Sequence, residues 1–205
     1  MTDRLNVLVL ESERGGADSA RAELEQAGHT VLRCHEPGAP AFPCNALASG
    51  RRCPLESAIV DVALDVRSRP RSQPAPQEDG VRCAIHARVP LVVAGSPVLN
   101  PFEGYATEIL DRPYDVVDAC ERAARAPLAE HTDAAVRALR IVLDRRGRTL
   151  APIVAVRRRR GALIVEVIGA ETLDPATKAM ASVRMTAAVR AIDRAARGID
   201  VVFPG

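Results

Sequence analysis

The stretch Ser57-Ala58-Ile59-Val60-Asp61-Val62-Ala63 is decisive for the fold because it is a short apolar run that contains one acidic residue. Runs of this length and composition are typical of strands covered on both faces, as in a parallel sheet. We predict that Asp61 lies at the carboxyl end of this strand, the edge where open α/β sheets place their sites. Because a buried bare carboxylate is costly, Asp61 is either a functional residue or the cap of the following loop.

Further apolar segments flank this stretch and alternate with helical ones. Strands are predicted at 5–10, 30–34, 90–95 and 107–110, and helices at 18–27, 81–87 and 115–125, with a short helix at 44–48. The polar, proline-rich residues 65–80 predict a long mobile loop. Five strands alternating with helices in this way indicate a doubly wound parallel sheet.

Charge divides the chain unevenly. Residues 1–130 carry a net charge of −5 and residues 131–205 a net charge of +7. We therefore predict two domains, 1–126 and 133–205, joined by a linker at 127–132. The sequence has no apolar run of about 18 residues and no signal peptide at its start, so we expect a cytoplasmic protein with reduced cysteines.

Short motifs follow the predicted strands of the first domain. They are Val9-Leu10-Glu11-Ser12-Glu13 after the first strand, Asp61 at the end of the third, Pro90 before the fourth, and Arg112-Pro113-Tyr114 after the fifth. With these motifs, residues 5–125 resemble a response-regulator receiver domain. The predicted fold is accordingly a flavodoxin-like α/β domain with strand order 2-1-3-4-5.

The resemblance implies roles for individual residues. Asp61 corresponds to the phosphoacceptor, Glu11 to the first metal-binding acid, and Arg112 to the invariant lysine of the family. Mg²⁺ is then possible at Asp61 and Glu11, because carboxylate oxygens are its preferred ligands.

The same comparison also exposes departures from the family pattern. The second acid is replaced by Ser12, although Glu13 offers a substitute, and the switch hydroxyl position falls on Gly95, with Ser96 one residue late. We predict a degenerate receiver in which Arg112 pairs with Asp61 or Glu11, and ordinary phosphorylation of Asp61 is the alternative. We predict no catalytic residues and no enzymatic activity.

Cysteines are concentrated in the first domain. Zinc or an iron–sulfur cluster is one hypothesis for Cys34, Cys44, Cys53 and Cys83. We predict no metal site, because no two of them have the spacing of metal ligands on one turn and the receiver model separates Cys34 from Cys53. A packed thiol pair of Cys44 and Cys83 is the alternative, and Cys120 is predicted to lie in the core of the last helix.

The sequence of the second domain predicts a small α+β fold with the elements in the order helix, strand, strand, helix, strand. The helices are expected at 134–143 and 174–197, and the strands at 152–156, 162–167 and 199–203. Asp174-Pro175 is a typical helix start. The apolar residues Ala181, Met185 and Val189 recur at helical spacing and predict the buried face of the second helix.

Arginines form the predicted basic patch of this domain: Arg145, Arg146, Arg148, Arg157, Arg158, Arg159, Arg160, Arg190, Arg194 and Arg197. A patch of this kind either docks on an acidic protein surface or contacts nucleic-acid phosphates. The first hypothesis is a non-enzymatic signalling protein, an atypical response regulator with a C-terminal output or dimerisation module that self-associates as a homodimer or binds a protein partner. The second is a transcription or nucleic-acid-associated regulator.

Overall fold

The computed structural model describes residues 4–36, 40, 42–48, 52–95, 98–112, 114–159, 162–194 and 196–204. Within these residues the chain forms two compact units, 1–124 and 125–205. No helix of the described residues is long and apolar enough to cross a membrane.

The first unit is built on a five-stranded, all-parallel sheet in the order β2-β1-β3-β4-β5. The strands are β1 (Asn6–Glu11), β2 (Thr30–Leu32), β3 (Val62–Arg67), β4 (Leu91–Gly95) and β5 (Glu108–Leu110). The helices are α1 (Asp18–Gln26), α2 (Asn45–Ala48), α3 (Pro54–Ser57), α4 (Asp79–His86) and α5 (Val116–Arg125). The predicted doubly wound fold and its strand order are confirmed.

Aliphatic side chains cover both faces of this sheet. One face packs against α1 and α5 around Leu24, Leu64 and Cys120, and the other packs against α4 around Leu8 and Val81. The three central strands β1, β3 and β4 are almost continuously buried, as expected for parallel strands between two helical layers. Cys120 is fully buried in α5, which confirms its predicted place in the core.

The third strand does not begin where the sequence pattern predicted. Residues 54–57 form the single turn α3, with Pro54 at its first position, and β3 starts only at Val62. Proline is favoured at the first position of a helix, since its missing N–H is not needed there. The strand therefore takes the second half of the apolar run and extends to Arg67.

The region predicted as a long mobile loop, 65–80, is in regular structure at both of its ends. Its first three residues complete β3, a 3₁₀ turn spans Pro76–Glu78, and α4 begins at Asp79. Ala75 and Glu78 are buried, whereas residues 68–73 are exposed. The predicted short helix at 44–48 is confirmed as α2.

The second unit carries a three-stranded sheet in the order β6-β7-β8, with one antiparallel and one parallel pairing. Its elements are α6 (Ala129–Arg145), β6 (Ile153–Arg159), β7 (Ala162–Ile168), α7 (Pro175–Ile192) and β8 (Ile199–Val202). The predicted element order is confirmed. Helix α6 starts inside the predicted linker, and α7 ends before Arg194 and Arg197, which therefore do not share a helical face with Arg190.

The core of the second unit lies between its sheet and its two helices. Ala181, Met185 and Val189 of α7 are fully buried, as their spacing predicts. Asp174 caps α7 by accepting hydrogen bonds from the Thr177 N–H and hydroxyl, at 2.9 and 2.8 Å. These hydrogen bonds hold the pKa of the Asp174 carboxyl below its usual value.

Gly95, at the end of β4, lies where the backbones of β3 and β4 approach each other closely. Its φ is +142°, and a Cβ atom there would lie 2.2 Å from the carbonyl oxygen of Arg67. Gly95→Ala is therefore expected to lower the free energy of unfolding by about 3 kcal/mol through strain and overpacking. Gly104→Ala, where an added Cβ meets nothing within 4 Å, should change it by less than about 0.5 kcal/mol. Denaturant unfolding of both variants checks this, and equal effects would contradict it.

Candidate functional site at the carboxyl edge of the parallel sheet

Asp61 lies at the amino end of β3, and the prediction that it follows this strand is wrong. Its Oδ2 accepts a hydrogen bond of 2.8 Å from the backbone N–H of Asn6, the first residue of β1. Because β1 and β3 are parallel, Asp61 is at the edge opposite to Glu11, which ends β1. Asp61 and Glu11 therefore cannot share the predicted Mg²⁺, and the expected crevice of Asp61, Glu11 and Arg112 does not form.

Glu11, Ser12 and Glu13, at the end of β1, are held by contacts with neighbouring loops. Oε2 of Glu11 accepts a hydrogen bond of 3.1 Å from the N–H of Ala17, just before α1. Ser12 is buried, and its hydroxyl accepts a 3.1 Å hydrogen bond from the N–H of Ser68. Glu13 forms ion pairs with Arg69 and Arg71 at 3.4 and 3.3 Å. Glu11, Ser12 and Glu13 therefore tie the edge of the sheet to its loops.

The remaining predicted pocket residues do not complete a phosphoryl site. Arg112 is exposed after β5 and forms no ion pair among the described residues, so its predicted pairing with Asp61 or Glu11 is wrong. Gly95 is buried at the end of β4, and Ser96 lies outside the described residues.

A buried charged cluster of Arg67, Glu78 and Asp65 lies at the carboxyl end of β3. Nη1 of Arg67 donates a hydrogen bond to Oε1 of Glu78 at 2.5 Å, and both side chains are almost completely inaccessible. The same nitrogen lies 3.9 Å from Oδ2 of Asp65, which is fully buried. One cation thus faces two carboxyl groups in the interior.

Further contacts fix both ends of the Arg67–Glu78 pair. Nη2 of Arg67 donates to the carbonyl oxygen of Arg71 at 2.9 Å, and its guanidinium lies 5.7 Å from the ring centre of Phe102. Glu78 accepts a hydrogen bond from the N–H of Ala75. The loop after β3 is therefore closed back onto the sheet.

The pKa of Asp65 is raised well above its usual value, first because burial disfavours the charged form. The neighbouring carboxylate of Glu78 raises the pKa further, and the opposing effect of Arg67 is smaller. The charge balance explains this result: Arg67 neutralises one carboxylate, and a second buried negative charge would have no cation of its own. Burial and the neighbouring Glu78 therefore favour the protonated form of Asp65 over its carboxylate.

Sequence reasoning missed Asp65, Arg67 and Glu78 because it placed the strand about four residues too early. The signal that could have found them is the stretch Val62-Ala63-Leu64-Asp65-Val66-Arg67, in which Asp65 and Arg67 alternate with apolar residues on one face of a strand. Two charges on the same face of a buried strand demand partners from elsewhere in the chain.

Several arginines of the predicted basic patch form contacts within the second unit. Arg158 bonds to Asp193 at 2.7 Å in a buried pair, Arg157 pairs with Glu166, and Arg148 lies 3.7 Å from Asp174. Arg190 donates to the carbonyl oxygen of Ala196. Exposed positions are occupied by Arg145, Arg146, Arg194 and Arg197, whereas Arg160 and the side chain of Arg159 lie outside the described residues.

Cys34 is buried after β2, and Cys53 is half-buried directly before α3. Burial raises the pKa of both Cys34 and Cys83, and the charge of Cys53 adds to the effect in each case. Within the described part of the chain, no three His, Cys, Asp or Glu side chains stand in the geometry of a finished metal site.

The chain shows no significant similarity to known proteins. No protein-family model matches the chain, and no curated protein or solved structure is significantly similar to it.

The raised pKa of Asp65 predicts the direction in which the stability of the fold changes with pH. An unfolded aspartate loses its proton above about pH 3.8, whereas the folded protein keeps it, so folding is penalised increasingly as the pH rises towards the raised pKa. Asp65→Asn removes this penalty, and its stability relative to the wild type should rise by up to about 1.4 kcal/mol per pH unit over that window.

Denaturant unfolding of both proteins between pH 4 and pH 8 measures this difference. The exposed Asp111→Asn is the control for the loss of one formal charge. A difference for Asp65→Asn that stays flat or shrinks with rising pH would contradict a raised pKa of Asp65.

Proposed function

We propose that this chain is a non-enzymatic signalling protein, an atypical response regulator whose receiver-like unit acts through protein contacts. The second unit serves as its output or dimerisation module, and the protein acts in the cytoplasm. The observation that carries the proposal is the closed charged cluster of Arg67, Glu78 and Asp65 at the edge where parallel α/β sheets place their sites.

The cluster argues against phosphoryl chemistry at this edge. A Mg²⁺ site needs several accessible carboxylate or carbonyl oxygens around one ion. Here Glu78 is paired with Arg67, Asp65 is fully buried with a raised pKa, and Glu11 accepts a hydrogen bond from the backbone beside α1. The edge is therefore suited to holding one conformation for a partner rather than to capturing a phosphoryl group.

Helix α7 supports a role for the second unit in self-association. All of its exposed residues are apolar and recur at helical spacing: Pro175, Ala176, Ala179, Met180, Val183, Ala187 and Ala191. The solvent face of a surface helix is normally polar. Small side chains with Val183 at their centre allow a second helix to approach closely, and a second copy of α7 is complementary in size and polarity.

The alternative function, nucleic-acid binding, has weaker support. Arg157, Arg158 and Arg148 are each paired with an acid of the same unit. Phosphate binding requires guanidinium groups that are available to release counterions from the polymer. These three arginines would have to break their ion pairs before they could bind phosphate groups.

Incubation of the full chain with a small phosphodonor and Mg²⁺, followed by intact-mass analysis, tests the non-phosphorylated receiver. The expected result is an unchanged mass, because no described carboxylate combines exposure with the geometry of a Mg²⁺ site. Addition of a phosphoryl group that is lost in Asp61→Asn or Asp65→Asn would contradict the proposal.

Val183→Glu tests self-association through α7. Val183 is 71 % exposed, so the substitution leaves the core intact but would bury a charge in a helix–helix interface. Sedimentation equilibrium should show that the wild-type protein is a dimer. The dissociation constant of the Val183→Glu dimer should be at least about tenfold higher.

Ile153→Glu is the matched control, because Ile153 is 68 % exposed on β6 rather than on α7. It should leave the dissociation constant unchanged. A monomeric wild-type protein, or equal weakening by both substitutions, would contradict the assignment of α7 as the interface.

A further inference from the structure

A pocket of about 280 Å³ lies in the second unit, between α6 and the loop that leads from α6 into β6. Its described walls all come from residues 136–154. No described residue of α7, the helix proposed for self-association, lines this pocket. A ligand bound here would therefore add a function that the proposed role of the protein does not include.

The pocket exists because α6 ends in a turn that folds the chain back along the helix. Gly147 has a φ of +62°, the left-handed conformation in which many helices end. The N–H of Gly147 donates to the carbonyl oxygen of Asp144 at 3.1 Å, and the N–H of Arg148 donates to that of Leu143 at 3.0 Å. This pair of hydrogen bonds is the Schellman pattern. The reversal brings residues 148–152 back beside α6 as the second wall.

The floor of the pocket is apolar. Val136, Leu139 and Leu143 recur at helical spacing on one face of α6, and Val154 of β6 lies beside them. Leu139, Leu143 and Val154 are buried members of the core of the second unit. The pocket thus reaches from solvent to the core, and an alkyl chain placed on this floor would gain free energy by leaving water.

The rim of the pocket is charged and carries more arginines than acids. Arg140 lines it, is exposed, and forms no ion pair among the described residues. Arg148 lies 3.7 Å from Asp174, but both side chains are about half exposed, so this pair contributes little and can be exchanged for another anion. Asp144 is the single acid among the described lining residues. The rim therefore favours a ligand with one negative charge.

We propose that this pocket binds a small amphipathic carboxylate, of the chemical class of a medium-chain fatty acid. Its alkyl chain would lie on the apolar floor, and its carboxylate would bind Arg140 and Arg148, since guanidinium groups match the geometry of a carboxylate. The volume is at the lower end of the range for small-molecule sites, which favours a short chain. Asp144 at the same rim disfavours a doubly charged head group such as a phosphate, because like charges repel.

Isothermal titration calorimetry of the full chain with octanoate tests the proposal. We expect one saturable site per chain with a dissociation constant at or below about 1 mM. Acetate has the charge without the chain, and 1-octanol has the chain without the charge, so each should bind at least about threefold more weakly. The absence of saturable octanoate binding, or equally tight binding of 1-octanol, overturns the proposal.

The location of the site is tested by amide chemical shifts during the same titration. The changes caused by octanoate should be concentrated in residues 136–154, which line the pocket. Changes concentrated in α7 would assign the binding to the exposed apolar face of that helix and would overturn the proposed site.

Arg140→Gln is the diagnostic variant, because it removes the charge of an exposed side chain at the rim and should leave the fold intact. Far-ultraviolet circular dichroism checks the fold. The dissociation constant for octanoate should rise at least about threefold, whereas that for 1-octanol should not change.

Arg137→Gln is the matched control, since Arg137 is exposed on the same helix but does not line the pocket. It should leave octanoate binding unchanged. Equal weakening by both substitutions, or no weakening by Arg140→Gln, overturns the role of Arg140 in binding the carboxylate.

Discussion

The buried ion pair between Arg67 and Glu78 is the interaction on which the carboxyl edge of the first unit depends. Arg67 is the last residue of β3, and Glu78 is the last residue before α4, so the pair closes the loop between them. Loss of one member of a buried pair leaves an uncompensated charge in the interior, which typically costs about 3–5 kcal/mol. The pair is therefore a constraint on the loop as well as a contact.

The consequences of this constraint extend around the edge of the sheet. Closing the loop brings Ser68 to the hydroxyl of Ser12, and Arg69 and Arg71 to the carboxylate of Glu13. The pKa of Asp65 is raised by burial and by the neighbouring carboxyl group of Glu78, which shares the single cation Arg67 with it. The edge at which α/β sheets commonly bind ligands is thus filled by the protein's own charges, and this is the physical basis for proposing a protein-contact role.

Two parts of the molecule remain incompletely satisfied by the fold itself. The outward face of α7 is apolar, and the segment carrying Cys34, Cys44 and Cys53 has little buried apolar surface. An apolar helix face acquires stability from a partner surface. The proposed self-association addresses this deficit at α7.

Sequence alone determined the alternation of strands and helices and buried positions such as Cys120 and Met185, because apolar periodicity is a local property. It misplaced β3, since an apolar run from Ala58 to Val66 is longer than the strand and does not mark its own start. That error carried Asp61 to the wrong edge and hid Arg67. Tertiary structure alone decided the pairing of Arg67 with Glu78 and the hydrogen bond from Ser68 to Ser12, because both join residues from separate segments that local patterns cannot relate.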